Sequence, residues 1–295
     1  MNPSLPFVAL VTCFNDDETI NFEATRRQVR RQIAAGNNIL CLGTNGDFTA
    51  LTFAEKVRLA AEVVEEVGGK TKVFANVGTP STYETVLLAK EVAALGVDGL
   101  AVITPYFIGC TQDGLVTHFS RVADAVNVPT YLYDIPARTQ NHIEPATCAK
   151  LAEHPNILGI KDSGGGKDSL DAYLEIANAR TDFDVFSGPD SLVLYALDHG
   201  AKGCISGLGN VMPEVLNAIC TAYDDRDRVA AQDAQDRFTA LRVELYGLGY
   251  PPAMVKRALY VMDASVGASR QPALLPTPEL DAQIRRILEE HIVTA

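Results

Sequence analysis

Residues 73–104 read VFANVGTPSTYETVLLAKEVAALGVDGLAVIT. Val73–Val77 and Gly99–Thr104 are short apolar runs, which are typical of strands buried on both faces. Between them, Thr82–Leu95 carries apolar residues at helical spacing. A strand, a helix and a second strand within about 30 residues predict a βαβ unit, in which the two strands are parallel.

The same alternation recurs from Phe7 to Ser206, with Phe53–Val67 as a further amphipathic helix. Repeated βα units indicate an α/β fold, a closed (β/α)8 or TIM barrel. A doubly wound sheet, the competing architecture, usually has fewer strands and a G-x-G-x-x-G fingerprint that this sequence lacks. The predicted strands are Phe7–Thr12, Ile39–Gly43, Val73–Val77, Gly99–Thr104, Thr130–Asp134, Ile157–Lys161, Asp184–Ser187 and Gly203–Ser206.

After Leu208 the strand pattern stops and helical patterns take over, with breaks at Pro251-Pro252 and Pro276. We expect the first of these helices to close the barrel and the others to pack on its side. This predicts a barrel over residues 1–224 and a C-terminal helical extension over residues 225–295. The predicted helices are Pro213–Tyr223, Val229–Leu245, Pro252–Val266 and Pro278–Val293.

Composition limits the class of partner. The 295 residues carry a formal net charge of −12, which disfavours nucleic-acid binding. No apolar run approaches the roughly 20 residues that cross a membrane, and Met1–Pro6 shows no signal-peptide pattern. Cys and His residues are dispersed, without a C-x-x-C or H-x-x-x-H motif, so we expect no obligatory metal and a cytoplasmic location. The cysteines are Cys13, Cys41, Cys110, Cys148, Cys204 and Cys220.

Lys161 is the residue with the clearest chemical potential. It ends the apolar run from Ile157, and in such barrels the active site lies at the carboxyl ends of the strands. A lysine that is poorly solvated there can act as an amine nucleophile. Gly43-Thr44-Asn45-Gly46 follows strand two and can hold a small carboxylate through backbone N–H groups, although an ordinary βα turn has the same composition.

Strand five adds two further candidates. Tyr133 lies one strand from Lys161 and can move protons, although a barrel tyrosine is often only part of the core. Arg138, a short loop further on, suits a substrate carboxylate or an acidic neighbour such as Asp134. Gly188 follows strand seven, where a glycine lets the backbone pass close to a bound substrate.

Several short motifs, taken in order, resemble the dihydrodipicolinate synthase / N-acetylneuraminate lyase family of class I, Schiff-base aldolases. Each motif is modest, but their order and spacing together are highly specific. The matching segments are Val8–Thr12, Gly43–Asp47 (G-T-T-G-E in the family), Thr104–Phe107 (T-P-Y-Y), Tyr133–Thr139 (Y-N-x-P-x-R-T) and Gly159–Asp162 (G-I-K-[DE]).

The resemblance implies roles for these residues. Lys161 would form an imine with pyruvate or another 2-oxo acid, and Tyr133 would transfer protons with Thr44 as its relay partner. Asn45 would help to bind the pyruvate carboxylate, and the carbonyl group of Ile205 would face the site. The family needs no metal or organic cofactor, and its members are commonly tetramers built from tight dimers.

The sequence departs from the family pattern at three places. Phe107 stands at the substrate site where a second tyrosine usually contributes across the dimer interface, and Asn45 replaces a threonine or serine. Asp47-Phe48 is similar to the G-E-F of 2-keto-3-deoxy sugar acid aldolases, whereas Arg138 matches the arginine by which dihydrodipicolinate synthases bind aspartate semialdehyde.

These residues leave several functions open. The leading hypothesis is a pyruvate-dependent aldolase acting on a 2-keto-3-deoxy sugar acid or a related 2-oxo acid. Dihydrodipicolinate synthase, condensing pyruvate with aspartate semialdehyde, is the close alternative. Phe107 keeps open the hypothesis that the protein is a non-catalytic sensor of 2-oxo acids. A metal-dependent aldolase or a phosphate-binding isomerase is disfavoured by the dispersed histidines and the missing phosphate motif.

Overall fold

The computed structural model describes residues 3–180, 182–273 and 277–292. Eight strands follow one another in chain order around a closed barrel, and the pairs described are parallel, which confirms the predicted fold class. Three strands have the predicted bounds and the ends of the others differ by a few residues. The strands are β1 Leu5–Ala9, β2 Asn38–Cys41, β3 Val73–Asn76, β4 Gly99–Ile103, β5 Thr130–Asp134, β6 Ile157–Asp162, β7 Asp184–Ser187 and β8 Gly203–Ser206.

Helices alternate with the strands and continue after the last one. They are α1 Phe22–Ala34, α2 Phe53–Val67, α3 Thr82–Ala93, α4 Gln112–Ala123, α5 Pro136–Thr139, α6 Pro145–Ala152, α7 Lys167–Ala179, α8 Val193–Asp198, α9 Pro213–Asp224, α10 Arg228–Gly247, α11 Pro251–Met262 and α12 Pro278–Ile292. In the described part of the chain, none of them is both long enough and apolar enough to cross a membrane.

The predicted helix Pro252–Val266 is too long. The structure ends α11 at Met262, because Asp263 adopts an extended conformation with φ −148°. The Asp263 side chain then accepts a hydrogen bond from the backbone N–H of Ser265, and a single 3₁₀ turn follows. Pro276 and Val293, where a break and a helix end are predicted, lie outside the described residues.

By compactness, the chain divides into two units. The central unit, residues 72–205, contains β3 to β7 and most of β8. Its core includes a layer of three aromatic rings, with the ring centroid of Tyr131 lying 4.6 Å from that of Phe74 and 5.9 Å from that of Phe186. Gly159 makes room for this layer, since a Cβ there would lie 2.9 Å from Tyr131 Cδ1.

The terminal unit, residues 3–71 and 206–292, contains β1 and β2 together with α1, α2 and α9 to α12. Buried Asn210 extends the pairing at β1, since its amide donates to the carbonyl oxygen of Ala9 at 2.8 Å and its oxygen accepts from Val11 N at 3.1 Å. Both unit boundaries, at 71/72 and 205/206, differ from 224/225, and the division there stays a prediction.

Candidate active site

Lys161 and Tyr133 are neighbours in the central unit. They are register partners on β6 and β5, so their side chains point to the same face of the sheet. Lys161 is 5% exposed and Tyr133 is 1% exposed. The Lys161 Nζ lies 4.2 Å from the centroid of the Tyr133 ring. The amine is thus held against the face of the phenol, away from bulk solvent.

Two buried carboxylates lie on the opposite face of the same strand ends. Asp134 and Asp162, which follow Tyr133 and Lys161, are also register partners and are fully buried. Burial raises the pKa of both carboxyl groups above the usual aspartate value. Because the two aspartates come directly after the two reactive residues, their contacts fix where β5 and β6 end.

Asp134 is satisfied by three donors. Its carboxylate accepts hydrogen bonds from the backbone N–H of Ile143 at 3.0 Å and from the Tyr173 hydroxyl at 3.1 Å, and it pairs with His142 Nδ1 at 2.8 Å. The sequence suggested Asp134 only as a neighbour for Arg138, and nothing in the local pattern pointed to Tyr173.

Asp162 holds the glycine-rich loop. Its Oδ1 accepts from Gly164 N and from the Ser169 hydroxyl, both at 2.8 Å, whereas Oδ2 has no hydrogen-bond partner among the described residues. Gly188 N donates to the Asp162 carbonyl at 2.7 Å, and a Cβ on Gly188 would lie 2.1 Å from the Ser163 hydroxyl. A glycine at 188 is therefore required for the close approach of the ends of β6 and β7.

Phe107 is set in a strained loop after β4. Its φ is +76° and its side chain is 93% exposed. A bulky residue seldom adopts such a φ, and strain of this kind is concentrated at functional sites. Buried Asn141 holds the loop, because its amide donates to the carbonyl oxygens of Pro105 at 2.7 Å and Ile108 at 2.8 Å, and its oxygen accepts from Cys110 N at 2.7 Å.

Two further predicted site residues belong to the central unit. Arg138 lies on α5 and is exposed, and Ile205 is a buried residue of β8. Arg138 is anchored through its backbone, since its N–H donates to the Ile135 carbonyl at 2.9 Å. Their contacts with a substrate stay predictions.

Thr44 and Asn45 are in the terminal unit, in a 3₁₀ turn directly after β2. Both side chains are half-buried. A Cβ on Gly207 would lie 2.8 Å from the Asn45 amide nitrogen, so Asn45 lies against backbone that bears no side chain. Gly46 N donates to the Gly43 carbonyl at 3.0 Å, which closes the turn.

The turn has a partner that the sequence did not reveal. Lys256 of α11 is buried and its Nζ donates to Asp47 Oδ2 at 2.7 Å. The residues are 209 positions apart, so no local spacing signals the pair. The only signal in the sequence was a pair of adjacent cations, Lys256 and Arg257, within an otherwise largely apolar helix. Among the described residues, no group of three or more His, Cys, Asp or Glu side chains is placed to hold a metal ion.

Comparison with known proteins gives these residues a family context. The sequence profile of the Dihydrodipicolinate synthetase family matches residues 3–291. The chain belongs to this family. It is therefore a carbon–carbon lyase, as the motifs predicted.

Named relatives include lyases and synthases. An uncharacterised DapA-like lyase of Halobacterium salinarum is 37% identical over 264 residues, which is 89% of this chain and 86% of that protein. A 4-hydroxy-tetrahydrodipicolinate synthase of Corynebacterium aurimucosum is 35% identical over 284 residues, covering 96% of this chain and 93% of that protein. A solved prophage protein of the dihydrodipicolinic acid synthase family from E. coli K12, in complex with pyruvate, is 27% identical with a TM-score of 0.93 and covers 97% and 98% of the two chains.

Proposed function

We propose that the enzyme forms a Schiff base between Lys161 and the 2-oxo carbon of pyruvate or of a longer 2-oxo acid. The observation that supports this most directly is the buried Lys161 amine, 4.2 Å from the ring centroid of Tyr133. A cation–π contact alone is a modest reason to bury a lysine. An amine kept from water beside a phenol is suited to covalent catalysis with proton transfer.

The chemistry of the step is as follows. The neutral Lys161 amine attacks the carbonyl carbon, and the carbonyl oxygen leaves as water together with the two amine protons. Protonation of the imine makes it an electron sink, so a proton leaves the adjacent carbon and an enamine forms. The enamine carbon attacks an aldehyde carbon, or the reverse sequence cleaves that bond. Water then hydrolyses the imine and regenerates Lys161.

Tyr133 is proposed as the proton carrier at the imine-forming and bond-making steps, with Thr44 as its relay partner. Asn45 and the backbone N–H groups of its turn are proposed to bind the substrate carboxylate, with the Gly188 segment and the Ile205 carbonyl lining the site. The roles of Tyr133, Thr44 and Asn45 are supported by the family motifs that contain them. All five roles are supported by the placement of each residue near or after the carboxyl end of a strand.

For the substrate, we infer a 2-keto-3-deoxy sugar acid or a related 2-oxo acid. Asp47-Phe48 and the missing hydroxyl at Phe107 support this assignment. Dihydrodipicolinate synthesis is the second candidate, because Arg138 is exposed on α5 as a ligand for the carboxylate of aspartate semialdehyde. The names of curated relatives favour the same alternative.

A direct comparison of turnover decides between the substrates. The purified enzyme is assayed for pyruvate release from 2-keto-3-deoxygluconate, and separately for consumption of pyruvate with aspartate semialdehyde. We expect the first reaction to dominate. Reaction of the second pair alone would make the protein a synthase, and a pyruvate adduct without either turnover would favour a 2-oxo acid sensor. Full activity in the presence of chelators is expected in either lyase case.

The working form is proposed to be a homotetramer, a dimer of dimers, in the cytoplasm. Exposed apolar side chains on the central unit support self-association, namely Tyr83, Leu87, Phe107 and Ile108. The cytoplasmic location is supported by the six cysteines, which are present as thiols and of which five are buried.

A further inference from the structure

Lys256 is a buried cation that the proposed chemistry does not use. It lies on α11 and is 2% exposed. Its Nζ donates to Asp47 Oδ2 at 2.7 Å and to the carbonyl oxygen of Thr12, and it lies 4.2 Å from the centroid of the Phe14 ring. A buried ion pair rarely makes a protein more stable than apolar side chains of similar volume would. The buried pair of Lys256 and Asp47 therefore suggests a role in fixing the geometry of the segment that it contacts.

The contacts of Lys256 converge on the turn that carries Thr44 and Asn45. Asp47 directly follows the turn and has a φ of +53°, a conformation that needs support in a residue other than glycine. Both the backbone and the side chain of Thr12 are hydrogen-bonded. Its carbonyl oxygen accepts from Lys256 Nζ, and its hydroxyl donates to the Gly46 carbonyl oxygen at 2.7 Å. Lys256 thereby holds Asp47 directly and Gly46 through Thr12.

The turn has little freedom on its other side. A Cβ on Gly46 would lie 3.0 Å from the Leu10 carbonyl oxygen, so the backbone of the turn passes close to the end of β1. Asn45 rests against the backbone of Gly207. A displacement of Asp47 would therefore alter how Thr44 and Asn45 present their donors.

Arg270 provides a contrast within the same unit. Its guanidinium carbon lies 4.8 Å from the Phe14 ring centroid, so the ring contacts both cations. Its hydrogen bonds, however, go to the carbonyl oxygens of Glu18 at 2.8 Å and Ala50 at 2.9 Å and to the Glu55 carboxylate, all outside the turn. Arg270 secures the segment that leads into α2, whereas Lys256 secures the turn.

We propose that Lys256 is a positioning residue that fixes the Thr44–Asn45 turn for the carboxylate of the substrate, acting through Asp47 and Thr12. This inference rests on the proposed Schiff-base function. It adds a residue from the C-terminal helices to the set that determines affinity for 2-oxo acids. Lys256 itself does not touch the reacting atoms.

The test compares two ketones that differ in the carboxylate. Imine formation is trapped with borohydride using pyruvate, and using acetone, which keeps the ketone and lacks the carboxylate. In Lys256→Met the half-saturating pyruvate concentration is expected to rise about 10- to 100-fold, as small displacements of binding groups do. Trapping with acetone should fall by a smaller factor than trapping with pyruvate, because acetone has no carboxylate for Asn45 to bind and depends on the turn only through Thr44, the proposed relay partner of Tyr133.

Two further variants keep the test decisive. Arg270→Met is the matched control, and its pyruvate and acetone trapping should both match wild type within about twofold. Asp47→Asn removes the other partner of the pair and should reproduce the pyruvate-selective loss. If Lys256→Met does not fold, as judged by circular dichroism, Asp47→Asn decides the matter.

The outcomes separate this inference from the proposed function. A wild-type enzyme that traps neither ketone would overturn the Schiff-base proposal itself. A wild type that traps pyruvate, with variants that lose both ketones equally or lose neither, would overturn the role of Lys256 and leave the Schiff base standing. A loss that is larger for pyruvate than for acetone supports the role.

Discussion

At the scale of single residues, the amine of Lys161 is shielded from water. Lys161 is buried beside the end of β6, and its Nζ lies 4.2 Å from the centroid of the Tyr133 ring. The aspartates that follow both residues are held by donors on the other face of the sheet. Lys161 and Tyr133 thus lie on one face of the sheet, and the two aspartates with their donors lie on the other.

Tyr133→Phe separates the ring of Tyr133 from its hydroxyl. Phenylalanine keeps an aromatic face against Lys161, so we expect the pyruvate adduct to form. Turnover should fall by about 10²- to 10³-fold, the usual contribution of a proton carrier. The measurement is kcat together with borohydride trapping of each protein. Unchanged turnover would assign the proton transfer to another group.

Sequence patterns identified Lys161 and Tyr133 because their signal is local. Each lies at or next to the carboxyl end of an apolar strand, and the carboxyl ends of barrel strands lie at one rim. Asn141 and Lys256 could not be found in this way. Asn141 contacts residues more than 30 positions earlier and Lys256 contacts Asp47 at a separation of 209 positions, so only the folded chain reveals them.

At the scale of elements, two separate sets of contacts stabilise the start of α2. Thr52 caps the helix and forms a reciprocal capping box with Glu55. Arg270 then forms an ion pair with the Glu55 carboxylate and donates to the Ala50 carbonyl. The capping box is visible in the sequence, whereas the arginine comes from 215 positions away. The local sequence pattern therefore sets where α2 begins, and the tertiary contact with Arg270 holds the start of the helix in place.

Glu55→Gln is expected to change the pH dependence of stability. Hydrogen bonding from Arg270 lowers the pKa of Glu55 to about 2. A lowered pKa means that the stabilisation is present above the usual glutamate pKa and is lost as the pH falls towards about 2. At pH 7 the variant should be less stable by about 1 kcal/mol, a modest value because the pair is partly exposed.

The measurement is the melting temperature of wild type and Glu55→Gln from pH 7 down to pH 3. The difference between the two proteins should shrink steadily below about pH 4.5. A difference that stays constant with pH would show that the glutamate acts through packing and not through its charge.

At the scale of the whole molecule, the exposed apolar residues of the central unit need an explanation. Phe107 and Ile108 are largely exposed and follow Tyr106, whose pKa is raised by burial and by the charge of Glu84 on α3. Tyr83 on α3 is also exposed. Apolar side chains grouped in this way are typical of a protein–protein interface.

The double substitution Phe107→Asp with Ile108→Asp should reduce the oligomeric mass. Charges on this loop would be buried without partners if two copies pack there. Light scattering on wild type is expected to give a tetramer, and the variant should give a smaller species. Val229→Asp is the control, since Val229 is 72% exposed on α10 in the terminal unit. A monomeric wild type would contradict the proposal.

The barrel could be predicted from the sequence because each βα unit has its own local pattern, a short apolar run followed by residues at helical spacing. The contribution of the last helices could not. Residues 225–295 were expected only to pack on the side of the barrel, yet α11 carries Lys256 to the turn after β2 and the following segment carries Arg270 to the start of α2. Hydrophobic spacing predicts which face of a helix is buried, but not which distant carboxylate lies there.

Imine formation at Lys161 is tested most directly by borohydride reduction in the presence of pyruvate, followed by intact-mass measurement and peptide mapping. The account predicts one reduced pyruvate adduct per chain, located on Lys161 and absent from Lys161→Met. Lys256→Arg, which keeps a cation at another buried lysine position, should still carry the adduct on Lys161. No adduct across the pH range in which the protein is folded, or an adduct that persists in Lys161→Met, would contradict the proposed function.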